Sequence, residues 1–184
     1  MDKNKIQYAD DDTEPVKLLL RLRMPALAVG LLLGLVLSFV TSRFEEVLAA
    51  NISVAFFIPF VVYLAAAVGA QTQSIYVRDL RTGKASFKKY LFKETMLGLI
   101  LGVIFGLVTA FIVGFWFGSK ELAQAVALAV LGAVAVAPLI ALIVTEILEL
   151  EHTDPAVGAG PLATVIQDTV SVLIYGFIAS AIIL

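Results

Sequence analysis

The 184-residue sequence contains no cysteine, one histidine and one tryptophan. The lack of cysteine excludes disulfides, thiolate nucleophiles and most soft-metal sites, and leaves the redox compartment open. The single histidine, His152, provides neither a pair at metal-ligand spacing nor, alone, a catalytic triad. Charge is also scarce. Thirteen Lys and Arg against fifteen Asp and Glu leave a net charge of −2. That balance shows no electrostatic footprint for nucleic acid, and no nucleic-acid partner is expected. There is no G-x-S-x-G elbow, no P-loop and no phosphate-cradling glycine turn. An enzyme is not expected. The opening stretch "MDKNKIQYADDDTEP" lacks the apolar core and small-residue cleavage pattern of a secretory signal peptide and reads as a polar tail.

Apolar residues are abundant. They make up 60% of the chain, where a soluble domain averages about 45–50%. They also fall in blocks long enough to cross hydrocarbon, which takes about 20 residues of helix. The blocks predict an all-α integral membrane protein with five transmembrane helices, at 22–40, 54–76, 95–117, 122–148 and 161–184. Residues 1–17 form a polar cytoplasmic tail and 18–184 the five-helix domain, which leaves no room for a separate soluble domain. Eleven of the thirteen positive residues lie on one side: Lys3, Lys5, Lys17, Arg21 and Arg23 before the first span, and Arg78, Arg81, Lys84, Lys88, Lys89 and Lys93 around the second link. Only Arg43 and Lys120 lie on the other. The positive-inside rule then predicts a cytoplasmic N-terminus and an outside C-terminus in a multi-pass protein of the cell membrane. The last link, with Glu146, Glu149, Glu151 and Asp154, forms an acidic cluster at a cytoplasmic mouth.

Beside that mouth begins "GPLATVIQDTVSVLIYGFIASAIIL", an apolar helix that carries Asp168. A carboxylate at the centre of a bilayer costs about 2.5–3.5 kcal/mol even on the lenient insertion scale. Thr164, Asp168, Ser171 and Tyr175 share one helical face, with Gln167 next to it. Such a stripe faces either a neighbouring helix, with Asp168 as interhelical glue, or a water-filled path. No other carboxylate lies deep in a span and no Lys or Arg is buried to neutralise this one, which favours an ion route. In the second span, Pro59 is expected to open the backbone and small residues run from Ala65 to Ala70. Gln71 beyond them divides evenly between packing and pore lining. In the third span, Gly98, Gly102 and Gly106 follow the small-xxx-small spacing of helix packing. Lys93 and Glu94 at its start read as a surface pair or as part of an ion vestibule.

Together "GAQTQSIYVRDLRTG", "FKKYLFKETMLGLILGVIFG" and "TDPAVGAGPLATVIQDTVS" resemble the transmembrane domain of MgtE-type magnesium channels and transporters over nearly all of residues 20–184. The matching positions include Gly69, Gln71, Arg78, Lys93, Glu94, Asp154, Pro155, Gly160, Pro161, Thr164 and Asp168. The resemblance implies Mg²⁺ as the transported ion, with other divalent cations left open. It implies a homodimer in the lipid bilayer whose axial pore is lined by the second and fifth spans. Asp168 would be the ion ligand, with Thr164 as secondary lining and Gln71, Ser171, Glu94, Glu146 and Glu149 as pore or vestibule residues.

The chain departs from the family in three ways. The second span reads "AAAVGAQ" where an Asn-containing glycine motif is usual. Ala163 and Thr164 stand for paired threonines. The sensor domains that typically precede the pore in bacterial members are not in this sequence, so their gating is not carried over. The alternative reading is a non-conducting subunit that needs a second MgtE-like chain, or a separate regulatory subunit, as its partner.

Overall fold

A computed structural model describes residues 9–184. They form six helices: α1 Val16–Ser42, α2 Glu45–Ala50, α3 Ser53–Arg81, α4 Phe87–Phe117, α5 Lys120–Leu150 and α6 Pro155–Ile183. All but α2 are long and apolar enough to cross a membrane, so the five expected spans are present. Each helix is longer than its expected span. At 27–31 residues and about 1.5 Å per residue the helices are about 40–46 Å long, against about 30 Å of hydrocarbon. The extra turns carry the polar residues that hydropathy trims away. Of the expected tail, residues 1–8 lie outside the described residues, and α1 already begins at Val16.

The turns follow local chemistry. Gly118 ends α4 with a left-handed φ of 65°, and the Ser119 hydroxyl then caps α5 by accepting from Leu122 N at 3.1 Å. Asp154 caps α6 ahead of Pro155, accepting from Ala156 N at 3.0 Å. Helix α3 runs unbroken through Pro59, contrary to the expected opening. The proline falls in the second turn, so the only bond it removes is near the helix start.

α5 is the centre of the bundle and packs on α3, α4 and α6. Its buried stripe, including Ala125, Ala129, Ala133, Ala137 and Ala141, is small enough for three helices to close around it. Glycines admit α4 most closely. A Cβ on Gly98 would lie 2.8 Å from Ala135 O, one on Gly102 2.7 Å from Leu131 O, and one on Gly106 3.0 Å from Ala127 O. α1 stands at the edge, packs chiefly on α6 and buries no residue.

Candidate ion-binding site

The polar stripe of α6 is divided by depth. Thr164 is exposed, Asp168 is half-buried, and Ser171 and Tyr175 are buried. Toward the C-terminal end of α6 the stripe is closed by the protein itself, where the Tyr175 hydroxyl donates to Val54 O of α3 at 2.9 Å and Phe44 packs against Gly176. Toward the N-terminal end of α6 it is uncovered. Asp168 sits at the transition. Its Oδ1 is buried and is the single such side-chain atom among the described residues with no hydrogen-bond partner.

The orientation of this face follows from one close contact. α3 and α6 run antiparallel and meet where Gly69 lies flush against the Gln167 side-chain amide. Successive helix residues turn by about 100°. Ala70 and Asp168 each follow the contact by one residue, and in antiparallel helices those two steps turn to the same side. Thr164 and Ala66 fall on that side too. It is the side away from α5, because Gln167 also donates to Ala137 O of α5 at 3.1 Å. Gln71, two steps from the contact, is exposed but turned off this face. Beside the closed part of the stripe, over Val172, lies a groove of about 770 Å³ walled by Leu37, Ser38 and Thr41 of α1 and by Ile58 and Pro59 of α3.

The expected vestibule carboxylates occupy a different place. Glu94 is buried and accepts from the Thr72 hydroxyl at 2.7 Å, and Glu146 accepts from the Tyr76 hydroxyl at 2.5 Å. Both are therefore tied to α3 on the side facing α4 and α5. Glu149 is half-buried one turn beyond Glu146. Asp154 is almost fully buried and satisfied by Ala9 N, Ala156 N and Arg81 Nη2. The structure thus brings Thr164 and Asp168 onto one open face and holds Glu94 and Glu146 apart from it. Among the described residues no group of three or more Asp, Glu, His or Cys converges on a point.

Comparison with known proteins bears directly on this arrangement. The MgtE family model, described as a divalent cation transporter, matches residues 58–178, which takes in all of α4 and α5 and most of α3 and α6. The chain belongs to the MgtE family. Members of that family are ion transporters and not enzymes. The magnesium transporter MgtE of Bacillus subtilis is 29% identical over 164 residues, covering 88% of this chain and 36% of the relative. That of Enterococcus faecalis is 31% identical over 161 residues, covering 86% of this chain and 36% of the relative. The chain thus spans about a third of the length of the curated relatives it matches.

In this MgtE domain the residue that sequence reasoning undervalued is Gln167, set beside the stripe and given no part. Its signal was present: Ala159, Ala163 and Gln167 recur every four residues, the spacing of a packed seam, and all three are buried. Thr72 and Tyr76 were also missed, because their partners lie on other helices.

Proposed function

We propose that the chain carries divalent cations, most specifically Mg²⁺, across the cell membrane through a path on the uncovered side of α3 and α6, with the ion held by Asp168. The N-terminus is cytoplasmic and the C-terminus outside, following the Lys and Arg asymmetry. One observation carries the reading. Asp168 Oδ1 is buried without a partner, in a helix where an unsatisfied carboxylate is costly. A cation that comes and goes supplies the missing partner.

Mg²⁺ takes oxygen ligands in near-ideal octahedral geometry and keeps several waters, so one or two carboxylates suffice. A single chain offers one. A homodimer axis beside this face would set a second Asp168 opposite the first, and Thr164, one turn toward the cytoplasm, would meet the ion's waters. Ala66 and Ala70 leave room for two copies to approach.

Asp168→Asn tests the assignment, since it keeps size and most hydrogen bonding while removing charge. In proteoliposomes the variant should insert and assemble normally and lose most Mg²⁺ flux. Wild-type flux from a normally folded Asp168→Asn protein would refute the site. Should the wild-type chain alone pass no divalent cation, the reading as a subunit that needs an MgtE-like partner takes its place.

A further inference from the structure

We infer that Gln167 is the positioning residue of the ion site: its amide, clamped between α3 and α5, fixes the rotation of α6 and so the direction of the Asp168 carboxylate. The inference rests on the ion-site reading above.

Gln167 is 3% exposed, although glutamine is rarely buried. Its Nε2 lies 3.1 Å from Ala137 O. A carbonyl only accepts, so the nitrogen must be the end that faces it. Across from Ala137 the same amide is pressed on Gly69, where a Cβ would overlap Nε2, Cδ and Oε1 together. The far side of α5 at this level is backed by α4, with Gly98 against Ala135 O and Pro138. The junction is therefore closely packed among α3, α4 and α5, and at this level Gln167 ties α6 to it by a side-chain hydrogen bond.

Asp168 is the next residue, about 100° farther around the helix. Helix side chains reach about 5–6 Å from the axis, so a 20° turn of α6, to take ~20° as a trial value, moves the carboxylate by about 2 Å. Magnesium tolerates little error in ligand placement, and a site left loose by that much no longer discriminates. Gln167 does not itself reach the ion, being turned to the α3–α5 side.

The experiment uses the full chain in proteoliposomes and reads the half-saturating Mg²⁺ concentration, the maximal flux and the thermal unfolding midpoint. The variants are Gln167→Met, which keeps the reach and loses the donor, Gly69→Ala, the double variant Gly69→Ala/Gln167→Ala, and Asp168→Asn. Gln167→Met should raise the half-saturating concentration about three- to twentyfold, the range of intramembrane hydrogen bonds, with the unfolding midpoint little changed. Gly69→Ala should lose both stability and affinity. The double variant should regain stability, because the new methyl fills space the amide has left, yet keep the weakened affinity. Affinity that returns together with stability would make Gln167 a packing residue only and overturn the inference. So would an unchanged half-saturation in Gln167→Met while Asp168→Asn still abolishes flux, a result that leaves the ion site standing. Wild-type flux in Asp168→Asn would instead remove the site and the inference together.

Discussion

Asp154, Glu94, Glu146 and Asp168 show three outcomes for carboxylates near or within hydrocarbon. Asp154 collects three donors, Glu94 and Glu146 each take a hydroxyl, and the buried oxygen of Asp168 takes nothing. A buried polar group without a partner costs about 1–3 kcal/mol, more when charged. The first three are therefore satisfied within the structure, while Asp168 is left with an oxygen for the proposed cation to meet. Thr72→Val tests the structural half of this contrast. It keeps the shape of the side chain and strips Glu94 of its donor, so it should lower stability by about 1–3 kcal/mol in thermal unfolding and leave the half-saturating Mg²⁺ concentration unchanged. A protein as stable as wild type would show that Glu94 does not depend on Thr72. Asp168 was legible in the sequence because a lone carboxylate in an apolar run is visible without coordinates. The Thr72–Glu94 and Tyr76–Glu146 pairs were not, since sequence spacing gives a residue's face but not which neighbouring helix meets it.

Hydropathy was enough to read the long helices, and the four-residue glycine spacing marked a packing face on α4 without naming α5 as its partner. Gly98, Gly102 and Gly106 meet Ala135, Leu131 and Ala127, so two ladders of equal step run antiparallel with backbones nearly touching. At that distance Cα–H donors face carbonyls, a weak but repeated attraction. Gly102→Val should force the helices apart at a cost of about 1–3 kcal/mol. Gly114→Ala should be neutral or mildly stabilising, because the nearest atom to its Cβ would be Ala123 Cβ at 3.7 Å and alanine is the better helix former. Comparable losses from both substitutions in thermal unfolding would argue against the close seam. Short α2 escaped the reading because six residues are too few for a periodic signal. Its signs, Glu45 and Glu46 in the first turn, are local and common.

At the scale of the whole molecule the bundle is one-sided. α5 backs α3 and α6 and is itself backed by α4, α1 stands apart on α6, and the face bearing Thr164 and Asp168 has no cover in the protomer toward the N-terminal end of α6. The proposed topology is checked with single cysteines at Ser86 and Lys120, both exposed. Lys120 serves better than Ser119, whose hydroxyl caps α5. The two should label from opposite sides, and labelling from one side would remove the orientation. The proposed twofold is sharper to test, because the stripe that periodicity placed on one face is split by burial. A cysteine at exposed Thr164 should crosslink to its twin in native membranes. One at Ser171, 1% exposed and closed off inside the protomer, should not, although the two positions share a helical face. Crosslinking at Ser171 in place of Thr164 would mean that the dimer meets on the C-terminal half of α6, and that Phe44 and Tyr175 must first move aside. Crosslinking at neither, in a chain that still conducts Mg²⁺, would move the axis away from α6 and leave Asp168 serving each protomer alone.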